Sequence, residues 1–216
     1  MKLSIALILI NVFVFLLTVS QGQEKFEYWI NEFGFRASSF IEGKYYIIFT
    51  SLFLHANLVH LGFNMLALFL LGSSIEKAID KKRYILVYFL GGMVANLIML
   101  LPFLYSPVTI GIGASGAISS LVGLGTFLCP GKLVFFPSVF PLPFVVAGGI
   151  YFLSTLSKLF VPSQISYPVH MIGMLVGSLF GLAWSEDKKR KLLIFITVLV
   201  LLILIPYILI TLGFLV

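Results

Sequence analysis

Charge is what this 216-residue chain has least of. Lys, Arg, Asp and Glu make up 10% of it, against 60% for hydrophobic residues. A soluble domain carries about 25% charged residues, and a chain of this size has too little interior to bury so much apolar surface. The scarcity excludes a soluble domain and points to a membrane protein. Cysteine is nearly absent too. Cys129 stands alone, so no intramolecular disulfide can form, and no Cys/His metal pattern occurs. The formal net charge of +6 is no nucleic-acid signature, because the basic residues lie in short runs between apolar blocks, where they set topology. No cofactor, metal or nucleic-acid partner is expected; the lipid bilayer is.

What is present is a series of apolar blocks. They predict an all-α, polytopic membrane protein, residues 1–216 in one domain, with spans at about 3–19, 58–75, 84–104, 115–129, 144–160, 169–184 and 192–216. The first block follows Met1-Lys2, and the weak cleavage context Thr18-Val19-Ser20-Gln21-Gly22 favours a retained span over a signal peptide. Residues 21–56 hold half of the acidic residues (Glu24, Glu27, Glu32, Glu42) among many aromatic rings, which suits a segment lying in the membrane interface. Pro130, Pro137, Pro141 and Pro143 mark one turn-rich link and Pro162 and Pro168 a second, while Pro206 is expected to bend the seventh span. Lys2, Lys77, Lys81, Lys82, Arg83, Lys132, Lys188, Lys189, Arg190 and Lys191 fall on one side; Lys25, Arg36, Lys44 and Lys158 fall on the other. That bias places the N-terminus in the cytoplasm and the first loop and the C-terminus outside.

Polar groups inside a membrane are costly and turn toward one another or toward a water-filled cavity. On the expected topology, His60 and Asn64, one turn apart, lie near the outer end of the second span. Ser115 and His170 lie near the outer ends of the fourth and sixth. Four groups from three helices thus share one depth. A serine hydroxyl becomes a nucleophile when a base takes its proton, and His170 can be that base. A tetrahedral intermediate needs fixed donors, which the Ser115 amide, His60 and Asn64 can supply. Gly113 leaves the backbone open to a ligand. No Asp or Glu lies within the fourth to sixth spans, so a dyad fits better than a triad. Two stripes of small residues, Gly111/Ser115/Ser119/Gly123 and Gly173/Gly177/Gly181, would let the fourth and sixth spans pack closely. Each residue has a plainer reading: Ser115 as a packing serine, a histidine as a helix tie or part of a transport path, Asn64 as interhelical glue, His55 as a loop-fixing hydrogen bonder, Glu76 as a structural anchor near the inner face.

The motifs His55-Ala-Asn-Leu-Val-His60-Leu-Gly-Phe-Asn64, Gly72-Ser-Ser-Ile-Glu76, Gly113-Ala-Ser115-Gly116 and His170-Met-Ile-Gly173-Met-Leu-Val-Gly177 occur in that order over roughly residues 45–185. Together they resemble the rhomboid intramembrane serine proteases. The resemblance implies a six-helix core with a seventh C-terminal span added. It implies Ser115 as nucleophile, His170 as base, and His60 and Asn64 as oxyanion donors. It also implies cleavage of single-span membrane proteins in or near the transmembrane segment, with the fifth span and the loop after it gating substrate access. Two places depart from the family pattern. Tyr45-Tyr46-Ile47 stands where some bacterial members carry a Trp-Arg pair, and Ser119 stands where some carry an aromatic ring that supports the histidine. A non-catalytic relative that binds and escorts membrane proteins would keep the scaffold but normally lack the dyad. A small transporter would favour charged or broken mid-membrane segments and an internal repeat.

Overall fold

A computed structural model describes residues 2–135, 140–161 and 165–211. Pro137, Pro162 and the seventh block beyond Thr211 lie outside the described residues. In chain order the helices are α1 (Lys2–Val19), α2 (Gln23–Phe33), α3 (Ala37–Ile41), α4 (Ile47–Thr50), α5 (Leu58–Ala67), α6 (Ser73–Ile75), α7 (Lys81–Asn96), α8 (Ser115–Leu128), α9 (Phe144–Ser157), α10 (Tyr167–Ala183) and α11 (Lys188–Thr211). A π-helical turn, Leu68–Gly72, joins α5 to α6. Two short antiparallel strands, β1 (Leu133–Val134) and β2 (Leu142–Pro143), pair in the link before α9. α11 runs on past Pro206 as one helix.

Among the described residues, three helical stretches are long and apolar enough to cross a membrane: Lys2–Val19, Leu58–Ile75 and Lys81–Leu100. α8 and α9 have 14 residues each and α10 has 17. At 1.5 Å per residue, α8 is about 21 Å long, short of a hydrocarbon core of about 30 Å. Its neighbours cover that shortfall. Every residue of α8 from Gly116 to Phe127 is buried, and α7, α9 and α10 pack around it.

Glycine sets how close those helices come. On α10 a Cβ at Gly177 would overlap the Ser120 backbone, one at Gly173 would overlap the Gly116 carbonyl, and one at Gly181 would lie 2.7 Å from the Leu124 carbonyl oxygen. From α8, Gly123 returns the contact against the backbone of Met174 and Ser178. On the α7 side, Gly91 receives the Ser120 side chain and Gly92 lies against Ala117 and Leu52. Such close backbone approach is how helices gain packing energy in a lipid solvent that offers no hydrophobic driving force between them. The stripe differs from the one expected. Gly111 is outside the helix; Ser119 and Gly123 do meet α10, and Gly116, Ser120, Leu124 and Phe127 join them.

Residues 21–56 fold as short helices around aromatic contacts, such as Trp29 on Phe33 with ring centroids 4.9 Å apart. Lys44 pairs with Glu32 at 2.8 Å, and Tyr46 donates to the same carboxylate at 2.6 Å. The ammonium and the phenol hold the Glu32 carboxyl below its usual range, and Glu32 in turn raises Lys44.

At the opposite end Glu76 caps α1. Its carboxylate accepts from the amides of Leu3 and Ser4 (2.9 and 3.0 Å) and from the Ser4 hydroxyl (2.9 Å), two of them first-turn amides that have no partner within the helix. Partial burial pushes this carboxyl up, but the hydrogen bonds from Leu3 and Ser4 outweigh it and hold the group down at about 2, from an ordinary 4.5. A depressed carboxylate stabilises the fold fully above its unfolded pKa and ceases to do so as pH falls through its folded one. Thermal unfolding in detergent should therefore show Glu76→Gln less stable than the parent at pH 7, with the gap closing between about pH 4.5 and 2. A gap that stays constant across that window would remove this role.

Candidate active site

Ser115 is the first residue of α8. The residue before it, Ala114, caps the helix with no side-chain hydrogen bond. Alanine is among the poorest N-caps, and it leaves first-turn amides free at the positive end of the helix dipole, where a developing anion is favoured. The chain ahead of Ser115 is non-helical, and its backbone groups are satisfied by the first loop. Phe35 and Gly111 exchange two backbone hydrogen bonds (2.8 and 2.9 Å), and the Gly113 amide donates to the Ser51 carbonyl at 2.9 Å. Ser51 is held in turn: the Asn96 side chain donates to its hydroxyl at 3.0 Å and to the Ile48 carbonyl at 3.2 Å. Irregular backbone at membrane depth requires such partners.

Gly113 has φ +113, a region that favours glycine. The open side of this residue faces the second apolar stretch. A Cβ there would lie 2.8 Å from Nε2 and Cε1 of His60 and 3.6 Å from Nδ2 of Asn64. The N–H groups of both side chains therefore converge two residues before Ser115. The tautomer of His60 follows from its other nitrogen. The Ala56 amide donates to Nδ1 at 3.4 Å, so the neutral ring keeps its proton on Nε2, the atom beside Gly113. Asn64 uses one Nδ2 hydrogen on the His60 carbonyl (3.1 Å) and keeps a second.

His55 was expected to make a loop-fixing hydrogen bond. It is buried with its ring beside the Phe53 backbone, and among the described residues neither ring nitrogen makes a hydrogen bond of ordinary geometry. Its ring packs edge-on to His60, centroids 5.0 Å apart. Burial, with His60 beside it, lowers its pKa to about 3, so it backs His60 as a neutral ring.

His170 lies in the first turn of α10, one turn before Gly173. The contacts of Val169 with Gly116 and of Gly173 with Gly116 and Ser119 put this turn beside the start of α8. The same end of α10 is tied down by a hydrogen bond between Ser166 and Tyr105, which belongs to the loop leading to α8. Among the described residues no hydrogen bond joins Ser115 to His170. Both side chains are half-buried, and catalytic hydrogen bonds commonly tighten only when substrate is bound. Two rings flank the imidazole, Tyr151 from α9 and Tyr167 from α10. Sequence reasoning missed Tyr151, Ser51 and Asn96, whose roles depend on contacts between distant segments. No group of three or more His, Cys, Asp or Glu among the described residues could hold a metal ion.

This arrangement has the parts of an acyl-transfer site: a serine at an uncapped helix N-terminus, side-chain N–H donors beside it, and an imidazole across the helix interface. Glycine at 113 is required on two counts. Gly113→Ala must place a β-carbon in a strained backbone region and against His60. Its turnover should fall by about tenfold or more and its unfolding temperature should drop too, by the cost of the strained backbone; full activity would show that this approach is not used.

Residues 42–187 match the family description of the Rhomboid domain. Among curated relatives, the chain is similar to the putative rhomboid protease YdcA of Bacillus subtilis, 27% identical over 150 residues, which covers 69% of this chain and 72% of that protein. It is 33% identical over 110 residues to the rhomboid protease GluP of Bacillus subtilis, covering 50% of this chain and 21% of the relative. It is 28% identical over 153 residues to the rhomboid protease AarA of Providencia stuartii, covering 62% and 54%. The chain spans less than two thirds of the latter two proteins.

Proposed function

Because the chain belongs to the rhomboid family, a family of membrane-embedded proteases, we propose that it is an intramembrane serine endopeptidase working through a Ser115–His170 dyad. The observation that carries this reading is the joining of α8 to α10 through Gly116 and Gly173, which brings the first turns of the two helices together. Ser115 Oγ attacks the carbonyl carbon of the scissile peptide bond, and His170 accepts its proton. The oxyanion that forms is met by the Ser115 amide, by His60 Nε2–H and by Asn64 Nδ2–H. His170 then protonates the leaving amine. Water hydrolyses the acyl-enzyme, with the imidazole again acting as base. The half-buried positions of Ser115 and His170 leave room for that water.

The substrates are single-span membrane proteins, cut in or near their transmembrane segment. A bond inside an intact helix has its carbonyl occupied, so segments loosened by small or helix-breaking residues are favoured. The protein has seven spans in one membrane domain and resides in the cell membrane. Its N-terminus is cytoplasmic and its active site lies toward the outer face, an orientation supported by the distribution of Lys and Arg.

Purified protein in detergent, given a single-span model substrate, should cleave it. Ser115→Ala and His170→Ala should abolish cleavage. His60→Ala and Asn64→Ala should each lower kcat by about 10²–10³, the cost of one oxyanion donor, with a smaller change in KM. Substrate binding without cleavage by the parent protein would replace this reading with that of an escort factor. Cleavage that survives Ser115→Ala would move the nucleophile elsewhere.

A further inference from the structure

The ring stacked on His170 comes from neither helix of the dyad. Ser119, one turn after Ser115, carries no ring of its own. Its hydroxyl donates to the Ser115 carbonyl at 2.7 Å. A hydroxyl has one proton, so toward the Tyr151 hydroxyl, 2.6 Å away, Ser119 acts as acceptor and Tyr151 donates. The Tyr151 ring then lies nearly parallel to the His170 imidazole, at an interplanar angle of 25° and a centroid separation of 6.4 Å.

The sequence of α9 explains how a ring from this helix reaches so far in. Phe144, Gly148, Tyr151 and Thr155 recur at helical spacing and share one face. The Phe144 ring sits on Gly125 of α8, and the missing side chain of Gly148 admits Thr126 of α8. Thr155 is buried. That face brings Tyr151 to Ser119, one turn from Ser115.

Tyr167 also touches His170, edge-on at 77° and 6.2 Å. It precedes His170 by three residues on the same helix and moves with it, so it cannot set the distance between His170 and Ser115. Tyr151 can, because it is hydrogen-bonded to the serine helix and stacked on the histidine of the other.

We propose that Tyr151 is the positioning residue of the dyad: anchored on Ser119, it holds the His170 imidazole in register with Ser115, so that three helices rather than two define the catalytic geometry. The inference rests on the dyad reading above. It predicts that the ring matters more than the hydroxyl and that the effect falls on kcat rather than on KM.

Steady-state cleavage of a single-span substrate in detergent tests this with Tyr151→Phe, Tyr151→Met and Ser119→Ala, beside Ser115→Ala. Tyr151→Met, which fills space without a ring, should lower kcat by about tenfold or more with KM within about twofold. Tyr151→Phe and Ser119→Ala, which both remove the anchoring hydrogen bond and keep the ring, should each fall between the parent and Tyr151→Met. Unfolding temperatures identify a variant that fails to fold; should Tyr151→Met fail, Tyr151→Leu takes its place. Parental kcat in the ring-less variant, equal losses in the Phe and ring-less variants, or a change confined to KM would each overturn the proposal. Activity in Ser115→Ala would overturn the dyad itself, a result distinct from these.

Discussion

Everything at the candidate site depends on how closely the backbones of α8 and α10 approach. Gly173, Gly177 and Gly181 put α10 against the Gly116, Ser120 and Leu124 carbonyls with no side chain between them. In a bilayer, apolar side chains gain little by leaving lipid for one another, so this contact is held by dispersion at short range and by the loss of lipid from between the helices. The approach fixes axial register as well as distance. With Gly173 on Gly116, His170 can only lie beside the first turn of α8. A single methyl group at Gly173 or Gly177 would push the helices apart where the proposed proton transfer needs hydrogen-bond distance.

The second constraint is the cost of irregular backbone at depth. α8 begins at Ser115 rather than at a membrane surface, so the chain before it must satisfy its amides and carbonyls without a helix. The Phe35–Gly111 bridge and the Gly113–Ser51 hydrogen bond do this, and Asn96 holds Ser51 from α7. The segment between α1 and α5 is therefore more than an interfacial covering. It is the backbone partner of the loop that presents Ser115, and its own position is fixed by the Lys44–Glu32–Tyr46 cluster and by its stacked rings.

Membrane character and helical class were legible in composition, and the family was legible in four motifs whose order no single helix imposes. The nearness of His60 and Asn64 to Gly113 was approached only through shared depth, because the sequence gives height along a helix but not rotation about it. The contact stripe was misread at one end. Projection at every fourth residue from Gly111 assumes a helix that has already started, whereas Gly113 at φ +113 breaks it and Ser115 begins it. Tyr151 was invisible for a different reason. Ser119 departs from the family pattern in a way that suggests a missing ring, but nothing in the local sequence says that a residue 32 positions later supplies one. The role of Glu76 toward α1 was read only as anchorage, since its partners lie 72 and 73 residues away.

In the proposed dyad, Ser115 is a nucleophile activated by His170. Mapping the site of covalent labelling by a fluorophosphonate tests it most directly. One adduct per chain is expected, located by mass spectrometry on the Ser115 peptide and absent after His170→Ala in a protein that still unfolds cooperatively. An adduct on another residue, or labelling of Ser115 at an undiminished rate in His170→Ala, would contradict it.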